Sequence, residues 1–372
     1  MKDFFKIIGK PFTKALNFCT KTKLRKRVSI TITVLLILSI VLGWYVYPFL
    51  KIDKTIIDYN NLGIPTNLDD LIIKSRHYNK DDNLLENTIT VALFGIDSRD
   101  REGYSENSDT IIIMNYNKTN GTIRFASILR DTGLHMPDAD SVQKANYAYA
   151  SGGAQKAIQM LNTNFDLNIT EFITVDFWGF EKAIDAIGGV DLVLKRNEHL
   201  EVNKYIRDIA IINGDDPDDP KKAPVFKTTG NKHMNGRQAL AYSRIRKVGN
   251  DDYERTERQA KVIKAAMSKV LESYNPLKVR TLVDSLYPFI TTSMSSSQLL
   301  GLATSAFTND IKTQWQNFPK EVDIIEIPTD TYMIEIGSER TKRKIFDFLF
   351  FGKNITSEKY IEKLLEDIYS GN

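Results

Sequence analysis

Charged residues punctuate three short apolar runs in the first third of the chain. Asp97 and Arg99 follow Thr88–Ile96 (TITVALFGI), Asp109 immediately precedes Thr110–Tyr116 (TIIIMNY), and Arg130 and Asp131 follow Ile123–Ile128 (IRFASI). If these runs are neighbouring strands, their ends bring carboxylates and guanidiniums to one rim. Open α/β sheets bind ligands at such a rim. Two carboxylates there repel one another unless a cation joins them. With oxygen ligands and no nearby Cys or His pair, Mg²⁺ is the cation that fits. The same two acids also suit turn or cap positions.

A second constellation lies downstream: Tyr242-Ser243-Arg244-Ile245-Arg246, then Asp252 and Glu254-Arg255-Thr256-Glu257-Arg258-Gln259. Arg244 and Arg246 are two apart and would share a face of an extended segment. Arg255 and Gln259, at i and i+4, share a face of a helix. Three guanidinium forks and an amide aimed at one place suit a diphosphate. Taken alone, this stretch is explained more simply by a solvated helix laced with Glu–Arg pairs.

Elements must position these residues. The three apolar runs are β-branched and bounded by Gly, Asn and Asp, as buried strands are. Helical patterns follow over Gly153–Phe165, Trp178–Ile187, Asn235–Tyr242 and Glu254–Leu271, with a strand at Val190–Leu194 after Gly188-Gly189. Strands alternating with helices predict an α/β fold, an α-β-α sandwich with a central mixed sheet. Leu299–Phe307 reads as a further helix, and Val322–Pro328 (VDIIEIP) as a strand that could complete the sheet.

The chain has 372 residues, 42% hydrophobic and 26% charged, which excludes a disordered regulator, a fibre or a polytopic membrane protein. Its net charge of +3 is unevenly spread. Residues 1–27 hold nine basic residues and one acid, leaving 41 bases and 46 acids, or −5, for the rest. A nucleic-acid-binding body is not expected. The lone Cys19 allows no disulfide framework. Residues 28–50 (VSITITVLLILSIVLGWYVYPFL) carry no charge and are long enough to span roughly 30 Å of hydrocarbon. Basic residues crowd one end and Trp44, Tyr45 and Tyr47 the other, so the N-terminus is expected in the cytoplasm and the bulk outside. The expected organisation is a basic cytoplasmic head (1–27), a transmembrane signal anchor (28–50), a polar stalk (51–87), an extracytoplasmic domain (88–335) and a charged C-terminal tail (336–372).

Six ordered blocks resemble the LytR-CpsA-Psr family of envelope proteins. They are LFGIDSR (93–99), SDT (108–110), SILRDT (127–132), NYAYASGG (146–153), VDFWGFEKAIDAIGGVDL (175–192) and the stretch from Asn235 to Gln259. The resemblance implies a phosphotransferase in a Gram-positive type of cell membrane. Such enzymes move a teichoic acid or capsular polysaccharide from an undecaprenyl-diphosphate carrier to the 6-hydroxyl of N-acetylmuramic acid in peptidoglycan. It assigns Asp97 and Asp109 to Mg²⁺, and Arg99, Arg130, Arg244, Arg246, Arg255 and Gln259 to the diphosphate. It makes Asp252 the base that deprotonates the acceptor. The lipid tail would need an apolar cavity, lined by helices such as Ala154–Leu161 and Trp178–Ile187. Two positions depart from the family pattern: Asn107 stands where Arg precedes SDT, removing a phosphate contact, and Leu129 stands where Pro precedes RDT, loosening the turn that aims Arg130.

Two other readings bear on the same residues. Ser141-Val142-Gln143-Lys144 fits the S-x-x-K of penicillin-binding acyltransferases, but KTG is absent and Ser108-Asp109-Thr110 comes before it. A non-catalytic scaffold or regulator that binds polyprenyl-phosphate glycans is the alternative to an enzyme. Direct control of DNA is not expected, because a 27-residue head cannot hold a helix-turn-helix unit.

Overall fold

In the computed structural model, residues 23–52, 54–66, 87–97, 106–139, 141–249, 251–272, 276–308, 311–319, 324–327, 333–336 and 338–353 are described. The chain divides into two units, Met1–Lys51 and Ile52–Asn372. The first contains helix α1 (Lys23–Leu50). Within it Thr31–Leu50 has a mean hydropathy of 2.1, and among the described residues this is the one helix long and apolar enough to cross a membrane.

The second unit runs β1 (Thr88–Ile96), β2 (Ser108–Asn117), β3 (Thr122–Ile128), β4 (Thr132–His135), β5 (Val142–Lys144), α2 (Tyr147–Phe165), β6 (Glu171–Asp176), α3 (Phe177–Ala186) and β7 (Val190–Leu194). It continues with α4 (His199–Ile212), β8 (Gly230–Met234), α5 (Gly236–Ser243), α6 (Asp251–Glu272), α7 (Pro276–Leu286), β9 (Ile290–Thr292), α8 (Ser296–Thr308), β10 (Lys312–Phe318), β11 (Ile324–Ile327), β12 (Met333–Ile336) and α9 (Ser338–Phe351). The central sheet has the order β10-β3-β2-β1-β6-β9. It is mixed: β1 pairs antiparallel with β2 and parallel with β6, and β10 joins β3 in parallel.

Helices cover both faces of this sheet, and the two-residue period of the strands decides what each helix meets. Ala92, Phe94, Ile111, Ile113, Ala126 and Ile128 pack with α2 and α9 in one dense core. Leu93, Ile112, Ile173 and Val175 turn toward α3, α6 and α7, where the packing leaves a cavity. A second core joins α3, α4, α5 and α6 with the antiparallel pair β7–β8.

Three expectations are corrected. Part of the expected stalk is packed on the body: Ile57 and Leu62 are buried in the main core, the Thr55 N–H donates to the Thr292 carbonyl at 2.7 Å, and Asn162 Nδ2 donates to the Leu62 carbonyl at 2.8 Å. Residues 67–86 of that segment lie outside the described residues. The expected tail supplies a core helix, with Ile345, Phe346, Phe348, Leu349 and Phe350 of α9 buried. Arg124 reaches from β3 to the Leu349 and Phe350 carbonyls, capping that helix. Residues 354–372 lie outside the described residues. The strand within VDIIEIP does not extend the central sheet; it pairs with β12 in a separate sheet of order β11-β12-β4-β5.

Candidate active site

The pairing of β1 and β2 slips at one point. Gly95 faces Thr110 while Ile96 faces Ser108, so Asp109 is the extra residue of a bulge. A bulge leaves its residue out of the ladder and re-aims its side chain. Asp109 thereby meets the end of β3, where Arg130 Nη1 donates to its Oδ1 at 2.7 Å. Buried Asn146 locks this corner. Its N–H donates to the Arg130 carbonyl and its carbonyl accepts from the Ser108 N–H. Leu129 does not loosen the turn: its N–H donates to the Phe318 carbonyl at 2.8 Å, a bond that Pro could not make.

From the other side Arg255 of α6 brings Nη2 to 2.7 Å from Asp109 Oδ2, with Arg246 Nη2 at 3.9 Å. Burial works against the Asp109 charge. The nearby guanidiniums of Arg255 and Arg130, with their hydrogen bonds, together outweigh it and hold the pKa below the ordinary carboxylate value. Asp109 is therefore an anion at neutral pH, suited to holding cations. Arg244 Nη2 lies 3.6 Å from Asp97 Oδ2, and its guanidinium rests 4.6 Å from the centre of the Phe177 ring and 5.8 Å from that of Tyr205.

Arg244 and Arg246 converge by a route other than the expected extended segment. Arg244 is the C-cap of α5 in near-helical conformation (φ −96°, ψ −7°). The chain then turns through Gly249 at φ +80°, a conformation open to glycine. Arg258 holds this loop. Only 1% exposed, it donates to the carbonyls of Ile245 and Val248 at 3.0 and 2.9 Å and to Glu198 and Glu254 at 2.9 and 2.6 Å. In the sequence it is one more arginine on a charged helix. The i+3 step from Arg255 and the buried partner Glu198, the N-cap of α4 and 60 residues away, are what separate it from a solvated residue.

Two cavities meet at the arginines. One, of about 450 Å³, is lined by Asp97, Asp109, Arg244, Arg246 and Arg255, with Tyr205, Asp208, Ile211 and Ile212 from α4. The other, about 420 Å³, is almost wholly apolar. The sheet supplies Leu93, Ile112 and Val175 to it, α3 supplies Phe180 and Ile184, and α6 supplies Ile263 and Ala266. Arg244 and Arg255 line both cavities, and Gln259 lines the apolar one beside Arg255.

The structure thus brings together Asp97, Asp109, Arg244, Arg246, Arg255 and Gln259. Arg130 stands behind Asp109 and braces it, with Nε 3.3 Å from Asp131. Arg99 lies outside the described residues. Asp252 is in the first turn of α6, its side chain outside the described residues. The expectation that α2 lines the lipid cavity fails, because Ala154, Ala157 and Ile158 belong to the core on the opposite face of the sheet; α3 does line it. Lys144 of the S-x-x-K match is held by Asp131 at 2.6 Å. No group of three or more His, Cys, Asp or Glu converges among the described residues, so the protein alone builds no metal cage. Two carboxylates facing a cavity fit the sparse protein ligation of Mg²⁺, which takes its other ligands from phosphates and water.

A model of the LytR_cpsA_psr family matches residues 66–346. The chain belongs to this family. Among curated relatives, it is 23% identical to the polyisoprenyl-teichoic acid–peptidoglycan teichoic acid transferase TagV of Bacillus subtilis, over 84% of this chain and 75% of that protein. It is 24% identical to the regulatory protein MsrR of Staphylococcus aureus, over 70% of this chain and 74% of that one. The fold matches the solved structure of TagT with bound octaprenyl pyrophosphate, with a TM-score of 0.51 at 19% identity, covering 73% of this chain and 92% of that one. It also matches TagV of B. subtilis, with a TM-score of 0.54 at 22% identity, covering 71% and 96%. The α/β sandwich with a mixed central sheet is thus the family's fold. The apolar helix near the N-terminus fits a single-pass anchor.

Proposed function

We propose that this chain is a membrane-anchored phosphotransferase that moves a glycopolymer of teichoic acid or capsular polysaccharide type from a polyprenyl-diphosphate carrier to peptidoglycan. The carrier would be undecaprenyl diphosphate and the receiving group the 6-hydroxyl of N-acetylmuramic acid, joined through a phosphodiester. One observation carries the reading: a cationic cavity and an apolar cavity share Arg244 and Arg255. A ligand with a charged diphosphate head and a long hydrocarbon tail matches that pair of spaces. The domain would face the outside of the membrane, with the N-terminus in the cytoplasm.

Arg244, Arg246 and Arg255 would hold the diphosphate oxygens, and the same contacts neutralise charge gained by the leaving polyprenyl phosphate. Asp97 and Asp109 would hold Mg²⁺, which when bound supplies further neutralisation of phosphate oxygens. Arg130 keeps Asp109 aimed. Arg99 is assigned to a further phosphate contact on the family resemblance. The name of MsrR favours one second reading, a glycan-lipid-binding regulator without catalysis. A transfer assay separates the two. Full-length protein in detergent micelles is given a polyprenyl-diphosphate glycan and peptidoglycan oligomers, with Mg²⁺ or EDTA, and products are weighed by mass spectrometry. A phosphodiester product that needs Mg²⁺ and falls on the order of 10²–10³-fold in Asp97→Ala is expected. No product, with lipid still bound, supports the regulator.

A further inference from the structure

We infer that Asp208 of α4 takes the proton from the acceptor hydroxyl, an assignment that rests on the transferase reading above. Tyr205, Asp208, Ile211 and Ile212 stand at i, i+3, i+6 and i+7, one face of the helix, and all four line the polar cavity. An incoming hydroxyl needs an acceptor for its hydrogen, and guanidiniums offer none. Among the described residues, the carboxylates lining that cavity are Asp97, Asp109 and Asp208. Asp109 is clasped by Arg130 and Arg255 and Asp97 stands beside Arg244. Asp208 makes no ion pair or hydrogen bond among the described residues, and its neighbour Arg207 turns to Asp218 at 3.8 Å. Of these three, Asp208 is therefore the carboxylate whose lone pairs are open to a hydroxyl.

The step balances without another reactant. The acceptor oxygen forms a bond to the phosphorus that carries the glycopolymer, and its proton passes to Asp208. The bond from that phosphorus to the bridging oxygen breaks, and polyprenyl monophosphate leaves against Arg244 and Arg255. Asp208 then returns the proton to water. Carboxylates do this for hydroxyl nucleophiles in other phosphoryl transfers.

The test compares full-length wild type, Asp208→Asn and Asp252→Asn in detergent micelles, with the same lipid-linked glycan and peptidoglycan oligomers. Polyprenyl-diphosphate affinity is titrated separately for each. Asparagine keeps the shape of Asp208 and removes the base. Turnover of Asp208→Asn is expected to fall about 10²-fold or more, with lipid affinity and the KM for acceptor within about twofold of wild type, the small shift expected when ground-state binding is untouched. Wild-type turnover from Asp208→Asn overturns the assignment, and if Asp252→Asn is then inactive the role belongs to Asp252. Joint loss of lipid affinity and turnover makes Asp208 a structural residue and equally overturns it. A wild type that yields no product overturns the transferase reading and this inference with it.

Discussion

Asp109 shows how one carboxylate can organise a site. It holds Arg130 and Arg255 at 2.7 Å each and Arg246 at 3.9 Å, so it screens like charges that would otherwise repel in a partly buried space. Asp109→Asn is expected to cost the ligand-free protein about 2 kcal/mol, between the values for exposed and buried pairs. Because the folded pKa is depressed, the contribution is fully present above the ordinary value of 3.8 and is lost as pH falls through the depressed one. Urea midpoints should therefore differ between wild type and variant by a constant amount from neutral pH down to about the ordinary value of 3.8, and converge as pH falls from there through the depressed one. Inorganic diphosphate should restore more of the melting temperature in the variant than in wild type, because an anion can replace the missing charge. A variant as stable as wild type at pH 7 would show that the arginines need no resident counter-charge.

At the scale of elements, the apolar cavity between the sheet and α3, α6 and α7 is a place where the core is deliberately incomplete. Filling a packed core costs about 1–3 kcal/mol in strain, whereas filling an open space costs little. Ala266→Trp on α6 projects an indole into that space. The variant is expected to keep its melting temperature within a few degrees, on the scale of ΔΔG below 1 kcal/mol, and to lose affinity for polyprenyl diphosphate while still binding inorganic diphosphate. Equal loss of both ligands would mean that the cavity is not where the chain lies. Much of this framework was legible in sequence. The apolar runs marked β1–β3, and the helices α3, α5 and α6 fell within a residue or a few of their expected spans. Helix α4 escaped, although Val202, Ile206 and Ile209 carry a helical period, because charged residues surround them. The packing of Ile57 and Leu62 escaped for a different reason: Leu62 meets Asn162, 100 residues away, and local pattern holds no record of such a contact. Likewise the bulge that aims Asp109 leaves no mark in the alternation of β2. Arg258 carries the same residue type as Arg255 and differs only in what its side chain reaches.

Across the whole molecule, an apolar helix near the N-terminus and an α/β body with paired cavities suit one kind of substrate, a lipid with a charged head. The sandwich keeps its dense core on one face of the sheet and its ligand space on the other, so binding need not disturb the packing of α2 and α9. Affinity for the two halves of such a lipid, measured separately and joined, tests this account most directly. Full-length protein in detergent micelles is titrated with polyprenyl diphosphate, polyprenyl alcohol and inorganic diphosphate. Charge-assisted hydrogen bonds contribute about 1.5–3 kcal/mol each, and 1.4 kcal/mol is about tenfold in affinity. Polyprenyl diphosphate should therefore bind at least about 10²-fold more tightly than the alcohol, and that advantage should collapse in Arg255→Ala. An alcohol that binds as tightly as the diphosphate, or an Arg255→Ala variant that still discriminates between them, would contradict the assignment of the arginine-lined cavity to the diphosphate.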